Sequence, residues 1–416
     1  MSQTAEFFLA FALVLAAAKV FGQLAHRIGQ PAVVGEIVVG VLLSPVVLPG
    51  AASRVLIPQG IAPLLTALAN VGLATFMFMI GHELEGSLLR GRTRSALGLA
   101  VGSVVPPFVG GILLAVPLAG AYAPRSHAAF VTFVGVAMSV TAFPVLARIL
   151  ATTGLNRTQL GGLTLAAAAI GDVVAWVGVA AIAVTSGVTG SWRIALLPVY
   201  LVLMVGVVRP VVGRVMRAAQ ARPDLAPGLI PTLGVGLMLS CAATEWLGLH
   251  FIFGGFVFGA VLPRSGLDRV RRTVIEGMEH AGSLLLPLYF VIAGTKVTIS
   301  GFTGARVGVL VSVIAVAIGT KAIGAYWGAR VTGVRHGEAL VASVLMNTRG
   351  LTEIVVVGIA LDLGIIDQNF YSMMVIMAVL TTAITGPLLR LVRRHVPRAE
   401  ARVTAVAGQQ EAIRTE

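Results

Sequence analysis

Asp172 is the residue whose type and setting point most directly to chemistry. It stands in LTLAAAAIGDVVAWVGVAAIAV, an apolar run with no other charge for many residues on either side. An ionisable group in such a run is costly and needs a reason. A carboxylate there binds a cation, takes up a proton, or sits in a static ion pair. Competition between an alkali cation and a proton for one carboxylate is the least machinery that coupled exchange requires. Lys296 is the candidate cationic counterpart: it either pairs with Asp172 or stands as a fixed charge that stabilises a helix crossing. Arg349 and Glu353 are four residues apart, a spacing that favours a local pair on a helix, and they are read as mainly structural supporting charges. Glu36 and Glu83 are read the same way, with Glu36 also placed to line an entrance. His82 and Lys321 carry too little signal in the sequence for an assignment.

Two short interruptions accompany these charges. Ser139-Val140-Thr141-Ala142-Phe143-Pro144 contains a proline that removes a helix donor and pushes the residues before it out of helical geometry. Asn347-Thr348-Arg349-Gly350 contains a glycine that permits unwinding. Ser139 and Thr141, with carbonyls freed near Ala142 and Pro144, are candidate cation ligands beside Asp172 and its neighbour Gly171. Apart from the transported alkali ion, no metal site is expected.

The elements that must hold these residues are membrane helices. Of 416 residues, 57% are hydrophobic and 11% charged, against roughly 25% charged in an ordinary soluble domain. The mean hydropathy is +0.95. This excludes a disordered chain, a coiled coil and a cytosolic enzyme. The single Cys241 excludes an internal disulfide and any Cys-based metal centre. No P-loop, G-x-S-x-G or H-E-x-x-H string is present, so a transporter without cofactors is expected rather than an enzyme. The 49 glycines fit close helix packing through small residues. With about 20 apolar residues per crossing, the chain offers an all-α polytopic protein of about 13 transmembrane helices. The runs are 5–25, 31–49, 60–82, 95–119, 127–150, 159–186, 192–213, 228–247, 249–263, 276–298, 305–329, 337–362 and 368–392.

The basic residues orient these runs. With the N-terminus outside, the cytoplasmic loops and tail carry 22 Arg and the outer loops only Arg54, Arg125, Arg193 and Arg306. The excess charge is therefore assigned to topology rather than to nucleic-acid binding. The C-terminus is then cytoplasmic, in the cell membrane, and the lipid bilayer is the partner. Residues 1–394 form the transmembrane domain, and 395–416 are expected to be a short disordered cytoplasmic tail.

An internal repeat is visible. VVGEIVVGVLLSP (33–45) corresponds to IFGGFVFGAVLP (252–263). GLATFMFMIGHELEGSLLRG (72–91) corresponds in place to LLLPLYFVIAGTKVTISG (284–301), and VGVAMSVTAFPVLARIL (134–150) to VASVLMNTRGLTEIVVVGI (341–359). Two repeats of six, about 5–186 and 228–392, are joined by one linker helix at about 192–213. The seven-span offset is odd, so the second copy is inverted, a common plan of secondary transporters. In that plan the substrate site lies where two interrupted helices cross near the midplane.

The strings VTAFPVLARIL (140–150), AAAIGDVVAW (167–176), LPLYFVIAGTKVTI (286–299) and MNTRGLTEIVVVGIALDLGII (346–366) resemble the monovalent cation:proton antiporter-2 family. The similarity is to its cation/proton exchanger branch and runs along nearly the whole chain. QPAVVGEIVVGVLLSP (30–45) and ANVGLATFMFMIGHELE (69–85) fit its early helices. The resemblance implies the sodium/hydrogen exchanger fold: a dimerisation bundle beside a mobile core bundle, in a homodimer with elevator-like movement. It also implies that spans five and twelve are the crossing broken helices, and that Asp172 binds the cation and the proton. In this family an Asp or Asn usually precedes the essential Asp; here that place holds Gly171. An acidic pair is associated with electrogenic exchange, so Gly171 argues against a two-carboxylate stoichiometry. It also leaves Lys296 without its usual acidic partner. The expectation is electroneutral exchange of Na⁺ or K⁺ for protons, with Asp172 alternating between the two. The alternative is a proton-coupled exporter of a small organic compound or ion carrier on the same fold.

Overall fold

The computed structural model describes residues 2–44, 58, 60–83, 93–155, 158–185, 192–222, 226–263, 267–298 and 303–393. The expected tail at 395–416 lies outside the described residues. Among them all regular structure is helical: α1 (Gln3–Arg27), α2 (Ala32–Leu43), α3 (Ala62–Glu83), α4 (Thr93–Tyr122), α5 (His127–Ser139), α6 (Phe143–Thr152), α7 (Gln159–Thr185), α8 (Leu197–Leu203), α9 (Arg209–Ala221), α10 (Ala226–Trp246), α11 (Phe251–Ala260), α12 (Asp268–Thr295), α13 (Gly304–Val331), α14 (His336–Met346), α15 (Leu351–Asp362) and α16 (Gln368–Arg393).

Over its described residues each apolar run falls on one of these helices or on a consecutive pair; positions 45–49 of the second run and 186 of the sixth lie outside the described residues. Among the described residues eight helical segments are long and apolar enough to cross a membrane: α1, α3, α4, α7, α8 with α9, α10, α13 and α16. Helices α2, α5, α11 and α14 are apolar but shorter. Lipid-facing surface is evident on α4, where Leu97, Val101, Val105, Val109 and Leu113 recur every four residues and are all exposed.

Helix boundaries depart from the apolar runs where polar residues still favour a helix. The run at 276–298 is the C-terminal part of α12, which begins at Asp268. Its first two turns hold Arg269, Arg271 and Arg272, good helix formers that a hydropathy ruler discards. The run at 192–213 is a composite: a 3₁₀ turn at Trp192–Leu196, then α8, a π turn at Met204–Val208, and α9. Pro210 in the first turn of α9 has no N–H for the carbonyl four residues back, and the π turn sits where that bond is missing.

Packing divides the helices into two bundles. Extended helix–helix contacts join α1, α2, α3, α8, α9, α10, α11 and α12 in one set, and α4, α5, α6, α7, α13, α14, α15 and α16 in the other. Backbones come closest at glycines. A Cβ on Gly40 of α2 would lie 2.2 Å from the Val291 carbonyl oxygen of α12, and one on Gly294 would lie 2.4 Å from that of Ile37. The α3–α11 contact has the same form: a Cβ on Gly81 would lie 2.0 Å from the Phe256 carbonyl oxygen, and one on Gly259 would lie 2.0 Å from that of Phe78. In the second bundle α4 and α13 meet in the same way, Gly102 against the Gly324 carbonyl and Gly324 against that of Gly102.

Candidate functional site

The site is built where two helices stop. Helix α5 ends at Ser139 and α6 begins at Phe143; α14 ends at Met346 and α15 begins at Leu351. Pro144 lies in the first turn of α6, where a missing N–H is harmless. Gly350 caps α15 with φ 129°, a left-handed conformation that side chains rarely adopt. The two interruptions are bonded to each other. The Ala142 N–H donates to the Thr348 carbonyl at 3.0 Å, and the Thr141 hydroxyl donates to the Met346 carbonyl at 3.2 Å. Thr382 on α16 ties the second break from behind, its hydroxyl donating to the Arg349 carbonyl at 2.6 Å.

A helix that stops inside a membrane exposes its last carbonyls and the negative end of its dipole. At α5 two buried cations take them up. Arg349 donates to the carbonyls of Ala137 at 3.2 Å and Met138 at 2.7 Å. Lys321, on α13, donates to those of Ser139 at 2.5 Å and Val140 at 2.7 Å. Both side chains are fully buried. Arg349 also holds Glu353 at 2.8 Å, four residues on and equally buried. Glu353 stands in the first turn of α15, where an acid complements the positive end of that dipole. The remaining expected site residues line the same region. Ser139 is buried and its hydroxyl contacts the Val104 and Gly135 carbonyls. Asn347 donates to the Ile318 carbonyl of α13 at 3.3 Å.

Asp172 is 1% exposed on α7, which packs against α4, α5, α6 and α14. The charges whose fields reach the Lys321 ammonium are Arg349, Glu353 and Asp172. Gly171 is buried, yet a Cβ there would meet only the Val104 side chain, at 3.8 Å. A Cβ at this position is therefore excluded by neither the backbone nor close neighbours.

Lys296 is placed elsewhere. It ends α12, in the other bundle, and its ammonium lies 3.2 Å from Asp362 at the end of α15. Both side chains of that pair are partly exposed. The lysine at the broken helices is Lys321, to which the sequence alone assigns no role. A signal for it existed: Lys321 stands alone in its apolar run, as Asp172 does in its own. Among the described residues no group of three or more His, Cys, Asp or Glu side chains is placed to hold a resident metal.

Comparison with known proteins gives one answer. A family model described as "Sodium/hydrogen exchanger, transmembrane" matches residues 10–394. The chain is similar to the Na(+)/H(+) antiporter NhaS4 of Synechocystis, with 37% identity over 389 residues that cover 91% of this chain and 94% of that one. It is 33% identical to Cation/H(+) antiporter 20 of Arabidopsis thaliana over 97% of its own length, and spans 50% of that longer relative. Among solved structures it resembles the sodium proton antiporter MjNhaP1 of Methanocaldococcus jannaschii, with TM-score 0.65 at 14% identity, over 92% of this chain and 96% of the other.

Proposed function

We propose that this chain, which belongs to the sodium/hydrogen exchanger family of membrane transporters, exchanges Na⁺ or K⁺ for protons by alternating access, with Asp172 binding cation and proton in turn. It is an antiporter and not an enzyme. The observation that carries the site assignment is the four-charge cluster at the broken helices. Arg349 and Lys321 hold the last three carbonyls of α5 and that of Val140, which caps it, and Glu353 is engaged by Arg349. With all four groups ionised, Asp172 brings the cluster to zero net charge. A bound proton or a bound alkali cation then changes it by the same amount. Ser139, Thr141 and the carbonyls near Ala142 and Asn347 are the neutral oxygens from which a desolvated cation would complete its shell. The transported ions are the only ligands this reaction needs.

Exchange of one cation for one proton is the stoichiometry this reading favours. A second proton would have to come from Lys321, and its release would leave a neutral amine in weaker, uncharged hydrogen bonds to two buried carbonyls at the end of α5. Lys321 therefore acts as a fixed charge, the part expected of Lys296 from the sequence.

The fold-level proposal is thirteen crossings, with the N-terminus outside and the C-terminus cytoplasmic. Two inverted repeats, about 5–186 and 228–392, flank the linker at about 192–213. Support comes from the glycine contacts: α2 meets α12 as α11 meets α3, carbonyl against glycine in both directions. The α4 and α5–α7 bundle, with its counterparts α13–α16, is the moving body, and the other is the fixed body that forms a homodimer. Alternating access is movement of one against the other.

The test is dye-reported proton movement in proteoliposomes, with each alkali cation supplied in turn. Cation-dependent dissipation of a pH gradient is expected from the wild type, and Asp172→Asn should fall to the level of protein-free vesicles while remaining folded. Wild-type exchange by Asp172→Asn would remove Asp172 from the mechanism.

A further inference from the structure

We propose that Trp176 is the seal that closes the outer approach to Asp172 and so keeps exchange coupled; the inference rests on the functional reading above. Trp176 follows Asp172 by four residues on α7, so the two share a face, with Trp176 one turn nearer the end of the helix. Its ring is buried against Phe253, with centroids 6.2 Å apart and planes at 88°, and against Phe256, at 6.4 Å and 38°. Both partners belong to α11, in the opposite bundle. Trp176 therefore packs across the boundary that must open and close.

The order of groups along that boundary gives the seal its place. Successive crossings alternate in direction, so α7 and α11 run antiparallel and the end of α7 lies level with the start of α11. At that level a cavity of about 140 Å³ opens between the bundles, lined among others by His250, Ile252, Lys296, Asp362 and Asn70. It reaches along α11 as far as Ile252, one residue before Phe253. A vestibule that carries His250, Lys296 and Asp362 among apolar walls thus lies on one side of three aromatic rings, and the carboxylate lies a helical turn beyond them. The indole N–H of Trp176 is buried here with no acceptor. A buried donor left unpaired is costly, and that cost is relieved when the bundles part and water reaches the ring. The closed contact is thereby poised to open rather than locked.

Two measurements test this. In a Cys241→Ala background, Asp172→Cys reports access to the site by its rate of reaction with a membrane-impermeant, positively charged thiosulfonate. The reagent is added in sealed vesicles from the side that bears the N-terminus. Adding Trp176→Ala should raise the rate by about tenfold or more, Phe253→Ala should do the same from the opposite bundle, and Trp176→Phe should stay within about twofold. Equal rates in all four proteins would overturn the proposal. With Asp172 intact and no alkali cation present, wild-type vesicles should hold an imposed pH gradient and Trp176→Ala vesicles should lose it. The double variant Trp176→Ala/Asp172→Asn should hold it again. A leak that survives Asp172→Asn places the path elsewhere and also counts against the seal. If the wild type shows no cation-dependent proton movement, the exchange reading fails, while the labelling rates still decide whether Trp176 guards the residue.

Discussion

Two cations on the last carbonyls of α5 are an unusual ending for a helix, and Lys321 tests how much the ending matters. Its ammonium makes two buried hydrogen bonds to the backbone. Lys321→Met keeps the length and apolar stem of the side chain and removes both donors. Breaking a buried charged contact from one side typically costs about 3–5 kcal/mol. A clearly lower melting temperature in detergent is expected, with loss of exchange as a consequence. By contrast, Asp172→Asn preserves shape and should leave the melting temperature near that of the wild type while exchange is lost. Matching melting temperatures for wild type and Lys321→Met would show that other groups cap α5.

At the scale of elements, the second interruption depends on Gly350. Its φ of 129° lies where an alanine is strained even though the space is open: a Cβ added there would stand 3.6 Å from its nearest neighbours, on Thr382 and Val145. Gly350→Ala is expected to destabilise the protein by about 1–3 kcal/mol, read as a shift in thermal unfolding. It should also slow exchange, since Arg349 and Glu353 flank the altered turn. An unchanged melting temperature would mean that the turn relaxes without cost. Both interruptions are legible in the sequence because their causes are local: Pro144 and Gly350 act on their own backbone. The polar start of α12 is not, since helix propensity there runs against the hydropathy that marks a membrane run. The π turn before α9 requires the register of Pro210 within a continuous helix.

For the whole molecule, two expectations follow from charge. A site that alternates between one cation and one proton moves no net charge, so the exchange rate should not respond to a membrane potential. The check uses proteoliposomes clamped with potassium and valinomycin while Na⁺ is transported, or another permeant ion if K⁺ is the substrate. Acceleration at fixed pH and cation gradients would make Lys321 a proton carrier. Gly171→Asp is the companion variant: its Cβ has room, and a second carboxylate beside Asp172 should introduce sensitivity to potential. The second expectation is topological. Arginine is concentrated in the loops assigned to the cytoplasm, so Ser2→Cys in a Cys241→Ala background should react with an impermeant reagent only from outside. Labelling from the cytoplasmic side alone would reverse the orientation.

That the chain is a bundle of membrane helices, where two of them break, and which carboxylate lies alone in an apolar run can all be read from the residues in order. Each of these depends on residues within one span, because a bilayer imposes its demand on every span separately. Which charges meet is a matter of tertiary packing. Lys296 and Lys321 look alike as isolated lysines, and only the neighbouring helices send one to Asp362 and the other to carbonyls 182 and 181 residues away. The same holds for Arg349, whose carbonyl partners on α5 lie more than 200 positions earlier. The physical reason is that a buried cation takes whatever unsatisfied oxygens its bundle brings within reach, and span order does not say which helices will be neighbours. Trp176 follows the same rule: its place beside Asp172 is written in the sequence, but its partners across the boundary belong to α11.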